Sequence, residues 1–253
     1  MLTHPTLDLL HELGLHGMAR GFKELQANPE SEVLSHPEWL GLVLDREVLL
    51  RRQKRFEARA KAAHLRHAAS VEDVDYHSRR GLDRALFLKL AACDWIRERR
   101  NCLITGPAGV GKSWLACALG HKACRDDRSV LYHRVPRLFD ALALARGDGR
   151  HARLLKILSR VDLLILDDWG LAPVTLDQAR DLLEIVDDRH GRGSTIVTSQ
   201  LPIEHWHEMI PNPTIADAIL DRLVHNAHQL ILNGESIRKA TAKRAGLDDK
   251  QSS

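Results

Sequence analysis

The stretch "NCLITGPAGVGKSWLACALG", residues 101–120, decides the architecture. It runs from an apolar segment, Cys102–Thr105, through a glycine-rich turn into a segment with helical spacing. Residues 106–113 fit G-x-x-x-x-G-K-[S/T] through Gly106, Gly111, Lys112 and Ser113, with Gly109 as an extra glycine. From average residue usage, a chain of this length carries that pattern by chance roughly 1% of the time. The chemistry asks for these residue types. Glycines let the backbone wrap phosphates without a Cβ in the way, and the N–H groups at the start of the following helix supply positive potential. The predicted nucleotide-contacting set is therefore Gly106, Pro107, Ala108, Gly109, Val110, Gly111, Lys112, Ser113 and Trp114. Lys112 is expected at the β/γ-phosphates and Ser113 on Mg²⁺.

"VDLLILDDWG", residues 161–170, is an apolar strand that ends in two carboxylates. Acids at the end of a buried strand are costly unless they serve a purpose. Asp167 is expected to hold Mg²⁺, directly or through water. Asp168 is expected to orient the attacking water and take its proton. It stands where many such ATPases place Glu and is one methylene shorter, so hydrolysis should be slow and suit a switch more than a motor. No N-K-x-D pattern is present, which favours adenine over guanine.

Two further stretches extend the catalytic set. "STIVTSQLP", residues 194–202, reads as a strand whose end faces the γ-phosphate, with Gln200 as the sensor and Ser199 as the neighbouring candidate. "IADAILDRLVHNAHQL", residues 215–230, is an amphipathic helix, and its Arg222 could reach a neighbouring subunit's site as a finger. The plainer reading pairs Arg222 with Asp217 or Asp221. "NGESIRK" then offers Arg238 as a second γ-phosphate sensor, or as an ordinary surface arginine.

Outward from these motifs, strand candidates Cys102–Thr105, Val130–His133, Leu163–Leu166, Thr195–Thr198 and Leu230–Leu232 alternate with helical segments. That alternation predicts an α/β fold, a P-loop core with a parallel five-stranded sheet flanked by helices. A small all-α module is expected at 1–68, a linker at 69–81, a helix over Leu82–Glu98 opening the ATPase domain at 82–245, and a frayed tail at 246–253. The 253 residues suffice for one sizeable domain and a small module. No apolar run approaches a membrane span, and the N-terminus lacks a basic segment followed by an apolar core, so no membrane association and a cytoplasmic location are expected. Cys93, Cys102, Cys117 and Cys124 form no C-x-x-C pair and read as buried thiols. The pairs His64/His67, His205/His207 and His225/His228 lack a third ligand at suitable spacing, so no metal is expected beyond Mg²⁺ with nucleotide.

Net charge is only +3, but cations cluster. Residues 51–67 hold seven Lys/Arg against one Glu, and Arg51, Arg52, Lys54, Arg55 and Arg59 form a dense basic run. Residues 133–160 hold seven Lys/Arg against Asp140 and Asp148, including Arg134, Arg137, Arg146, Arg150, Arg153 and Lys156. Gly147–Gly149 should split the latter stretch into two helices. Both segments suit phosphate contacts on double-stranded DNA; a solvated helix face is the plain alternative for the first. Neither is interleaved with aromatics, so no single-strand preference is indicated.

"LGLHGMARGF", "GPAGVGKSWLACALG", "LLILDDWG", "IVTSQLP" and "AILDRLVHNAHQLILNGESIRK" together resemble the IstB family, over about residues 4–242. IstB proteins are the ATP-binding helpers of bacterial insertion sequences that also encode the transposase IstA. The resemblance implies an AAA+ fold of the initiator clade, related to DnaC and DnaA. It also implies a homo-oligomer on DNA with ATP between subunits, and stimulation of an IstA-type transposase. Residue by residue it gives Lys112 and Ser113 to the phosphate loop, Asp167 and Asp168 to the acidic strand, Gln200 to the first sensor, Arg222 to the finger and Arg238 to the second sensor. Ser-Trp stands where the family usually has Thr-His, Gln200 where Asn is commoner, and "SIR" where "SYR" is usual. A replicative helicase loader of the DnaC type is the alternative. The N-terminal module separates the two, because a loader grips its helicase there. A small-molecule kinase would need an Arg-rich lid, which is not seen. For a structural DNA-binding protein with a dead site, intact Lys112, Ser113 and Asp167 speak against lost ATP binding but not against lost hydrolysis.

Overall fold

The computed structural model describes residues 4–78 and 80–237. By contacts the chain divides into two compact units, Met1–Ala58 and Arg59–Ser253.

The first unit is helical. It contains α1 (Pro5–Glu12), α2 (His16–Ala27) and most of α3 (His36–Ala63). The sequence reads as helical throughout 5–25, but Gly14 adopts φ +69° and separates α1 from α2. Leu7, Ala19 and Val43 are buried, and Phe22 meets Trp39 edge-on at 5.3 Å. The carboxylate of Glu47 accepts from the Gly17 N–H at 2.7 Å and the Met18 N–H at 3.1 Å. It thus satisfies donors that the first turn of α2 leaves open and complements that end of the helix dipole. These bonds, with Arg51, hold the Glu47 carboxyl below its ordinary range despite the opposing effect of burial. Two of the three glycines of "LGLHGMARGF" are packing positions: a Cβ on Gly17 would stand 2.6 Å from the Arg46 carbonyl oxygen, and one on Gly21 2.9 Å from Arg46 Cγ.

In the second unit the expected helix over Leu82–Glu98 is two pieces, α4 (Arg84–Ala91) and α5 (Asp94–Arg97). Cys93 takes φ +62° between them, which a helix interior does not tolerate. The side chain of Trp95 closes the break by donating from Nε1 to the Leu90 carbonyl at 2.8 Å. Then follow β1 (Cys102–Thr105), α6 (Lys112–Arg125), β2 (Val130–Arg134), α7 (Val135–Gly147), α8 (His151–Arg160), β3 (Leu163–Trp169), α9 (Leu176–Arg189), β4 (Ser194–Ser199), α10 (Pro213–Val224) and β5 (His228–Ile231). All five strands are parallel, in the order β2-β3-β4-β1-β5. The central strands β3 and β4 are almost wholly buried because helices cover both faces, as parallel sheets require.

Leu164, Leu166, Trp169 and Val197 share one cluster with Leu142, Leu158, Leu182 and Ile219 of the covering helices, and Trp169 meets Trp206 at 6.0 Å. On α6, Gly120 lets the helix lie close to the sheet, where a Cβ would stand 2.8 Å from Ile165 Cδ1. The four cysteines are buried and free. Strand β3 carries one extra residue against β4: Leu166 pairs Val197, but Trp169 pairs Ser199. Asp168 sits at this bulge with φ +63°. Among the described residues, no helix is long and apolar enough to cross a membrane.

The glycine positions are testable. Gly17→Ala is expected to lower the melting temperature by several degrees, since overpacking against backbone costs about 1–3 kcal/mol. Gly41 lies within α3 with nothing within 4 Å of an added Cβ. Gly41→Ala is therefore expected to raise stability by up to about 1 kcal/mol. Thermal melts of the full chain followed by circular dichroism check both signs.

Candidate nucleotide site

The loop Gly106–Gly111 leaves the C-terminal end of β1 and turns directly into α6. Three of its glycines adopt positive φ: Gly106 at +143°, Gly109 at +84° and Gly111 at +95°. Space is refused there as well. A Cβ on Gly106 would meet the Leu232 carbonyl oxygen at 2.2 Å, and one on Gly109 would meet Ser236 Oγ at 2.1 Å. Val110 is fully buried and anchors the loop, and the Ile237 N–H donates to the Gly109 carbonyl at 3.0 Å. The loop borders a cavity of about 450 Å³, lined by Ala108, Gly109, Gly111, Lys112, Ser113 and Trp114 on this side. That is within the usual range for small-molecule sites. Lys112 is 7% exposed; its Nζ donates to the Gly106 carbonyl at 2.6 Å and the Pro107 carbonyl at 2.7 Å. Burial pulls its pKa down, and the nearby Asp168 and Asp167 oppose that shift.

The acidic pair ends β3, two strands from β1. Asp167 is fully buried. The Tyr132 hydroxyl, from β2, donates to its Oδ2 at 2.6 Å, and the Thr198 hydroxyl, from β4, donates to its Oδ1 at 2.5 Å. Burial, then the bond to Asp167, pushes the Tyr132 pKa up, so the phenol stays a donor. Thr198 Oγ1 also accepts from the Asp168 N–H at 3.1 Å, so one hydroxyl fixes both acids. The Asp168 side chain, 16% exposed, reaches the cavity. Arg134 Nε and Nη2 converge on its Oδ2 at 2.9 and 2.8 Å. Arg66 Nη1 stands 3.7 Å from Asp167 Oδ2 and 3.9 Å from Asp168 Oδ2.

The structure thus gathers the loop, Lys112, Ser113, Asp168 and an exposed Gln200 around one cavity, with Asp167 buried beside Asp168. The Ser199 hydroxyl is engaged elsewhere, donating to the Trp169 carbonyl at 2.9 Å and accepting from the Leu201 N–H at 3.0 Å. Arg238 lies outside the described residues, as does the expected tail. Arg222 does not line this cavity. Its Nε donates to Asp187 Oδ1 at 2.6 Å, so its partner is neither Asp217 nor Asp221. Asn101, just ahead of β1, holds the end of that helix by donating from Nδ2 to the Arg222 and Leu223 carbonyls.

The basic residues divide. Arg134 faces the acidic pair. Arg51 pairs with Glu47, Arg59 with Asp127, Arg146 with Asp181 and Arg150 with Asp148. Arg52, Lys54, Arg55, Arg137, Arg153 and Lys156 are exposed. Residues 66–80 supply cavity-lining side chains that the sequence did not assign to this site: Arg66, His67, Asp73, Asp75 and Arg80. Arg80 is 4% exposed and donates to the Val110 carbonyl at 3.4 Å and the Asp75 carbonyl at 3.0 Å.

A parallel sheet with a strand inserted between the loop strand and the acidic strand, and a glycine cradle at its C-terminal edge, defines the P-loop AAA+ class. The likeness to solved structures bears on the same fold. DnaI superposes with a TM-score of 0.57 at 23% identity, over 65% of this chain and 91% of that one. The replication initiator DnaA bound to AMPPCP and single-stranded DNA gives 0.56 at 15% identity, over 68% and 52%. Within that class, the chain belongs to the family of IstB-like ATP binding proteins, whose family model matches residues 8–245. It is 64% identical to a Sinorhizobium fredii protein named as insertion sequence ATP-binding protein y4pL, over 97% of this chain and all of that one. It is 33% identical to the Pseudomonas aeruginosa protein named for insertion sequence IS21, over 94% of this chain and 90% of that one.

Thr198→Val keeps the shape and removes both hydroxyl bonds. It is expected to cost about 1–3 kcal/mol by leaving a buried carboxylate short of a donor. It should also weaken Mg²⁺-dependent nucleotide binding several-fold, read by thermal melts and by titration with a fluorescent ATP analogue.

Proposed function

We propose that this protein is an ATP-regulated assembly factor of transposition. It binds ATP with Mg²⁺, oligomerises on double-stranded DNA with nucleotide between subunits, recruits or stimulates an IstA-type transposase, and resets by slow hydrolysis. The observation that carries the reading is the convergence of the glycine loop, Lys112, Ser113, Asp167 and Asp168, in a chain of the IstB-like family. A helicase loader of the DnaC type is the other reading; at 17% identity the likeness to the DnaC loader bears on the fold alone.

The residues fit the nucleotide and its metal. The loop is held open by glycines that no other residue could replace without collision. The Ser113 hydroxyl and the Asp167 carboxylate are hard oxygen donors of the kind Mg²⁺ takes. Bound Mg²⁺ would neutralise charge on the β- and γ-phosphates. Lys112, now on loop carbonyls, would meet the same phosphates. Asp168 has Oδ2 committed to Arg134, which leaves Oδ1 to orient a water and accept its proton. Gln200, exposed at the cavity rim, would contact the γ-phosphate or the water. Arg222 would exchange Asp187 for the nucleotide of the neighbouring subunit, and Arg238 would serve as the second sensor. The exposed cations Arg52, Lys54, Arg137, Arg153 and Lys156 are the first candidates for DNA phosphates, with Arg55 beside them on the same basic run.

The experiment is light scattering coupled to size exclusion on double-stranded DNA with ATP, ADP or no nucleotide. Wild type is expected to form a large complex only with ATP, and Lys112→Ala to stay small. A monomer without DNA affinity in every state would overturn the reading. Arg137→Ala and Arg153→Ala are each expected to weaken DNA binding uniformly across sequences and to reduce the slope of log affinity against log salt by about one.

A further inference from the structure

Arg66 lies at the end of the basic run 51–67, yet it faces both acids. Helix α3 ends at Ala63, and His64 takes φ +51°, which turns the chain. The end of α3 is tied down by Arg59 Nη1 on Asp127 Oδ1 at 2.6 Å. The Arg66 guanidinium is thereby held at the cavity wall, with 38% of its side chain exposed. The Tyr132 hydroxyl donates to Asp167 on the same side. The separations of Arg66 from Asp167 and Asp168, 3.7 and 3.9 Å, are ion-pair distances without a direct hydrogen bond. Arg134, by contrast, is bonded to Asp168 alone. Arg66 thus acts on both carboxylates as a charge.

We propose that Arg66 is a positioning residue that serves as the built-in counter-cation of the acidic pair. It competes with the divalent ion for the negative field of Asp167 and Asp168, so it sets how much Mg²⁺ is needed to load the nucleotide. This rests on the nucleotide reading above. A unit charge about 4 Å from the ligand carboxylate, even screened as fully as in bulk water, changes metal affinity by ~5-fold or more.

The test uses Mn²⁺ as the probe, counted by electron paramagnetic resonance on the full chain in the presence of a non-hydrolysable ATP analogue. Arg66→Gln removes the charge; Arg66→Met also keeps an apolar stem, in case glutamine unsettles the fold. Both are expected to bind Mn²⁺ at least about fivefold more tightly than wild type. Arg66→Lys should restore the wild-type value, which a purely structural role would not require. Unchanged or weaker Mn²⁺ binding in both neutral variants overturns the proposal, as does a lysine variant that behaves like them. A wild type that takes up no Mn²⁺ with the analogue would instead sink the nucleotide reading itself.

Discussion

A carboxylate with no solvent exposure is the constraint around which the second unit is arranged. Asp167 lies at the end of β3, where desolvation of its charge would cost several kcal/mol without compensation. The compensation comes from both flanking strands, a phenol from β2 and a threonine hydroxyl from β4. Neither neighbour could be exchanged for another strand without leaving the acid short of a donor. The strand order is thus tied to one side chain's hydrogen bonds, and the apolar cluster around β3 and β4 holds those donors at bonding distance.

The glycine loop obeys a different kind of constraint, one of volume. Its neighbours are backbone and short side chains: the Leu232 carbonyl over Gly106 and Ser236 over Gly109. The segment beyond β5 therefore presses on the loop, and the N–H of Ile237 bonds it. Cations are then distributed around the acids from three separate stretches of chain, Lys112 after β1, Arg134 at the end of β2 and Arg66 after α3. Each works on a different atom: Lys112 on loop carbonyls, Arg134 on one oxygen of Asp168, Arg66 on the field of both acids.

What was legible in the sequence is what is contiguous in it. The loop, the acidic strand and the five strands are runs of a few residues whose types state their purpose; the structure has each of them, with β3 running on past Leu166 to Trp169 and β5 at His228–Ile231 instead of Leu230–Leu232. Helix interruptions at Gly14 and Cys93 were missed because each depends on a single residue's backbone angle inside an otherwise periodic segment. Arg66, Arg80, Tyr132 and Thr198 were missed for a different reason. A tyrosine or threonine in an apolar strand looks like β-propensity, and its bond to Asp167 exists only once strands thirty or more residues apart are side by side. Arg134 was grouped with the basic run 133–160 by proximity in sequence, while the sheet register sets it opposite Asp167, beside Asp168.

The extra residue in β3 has an effect on parity. In a regular strand, alternate residues share a face, so Asp168 would follow Leu164 and Leu166 into the apolar cluster. The bulge shifts the count by one, and Trp169 takes the place in that cluster instead. An acid that even spacing would send into the core is sent to the cavity, and the largest side chain of the strand seals the layer behind it. One added residue thus moves a charge from the wrong side of a sheet to the right one while keeping every upstream leucine in place.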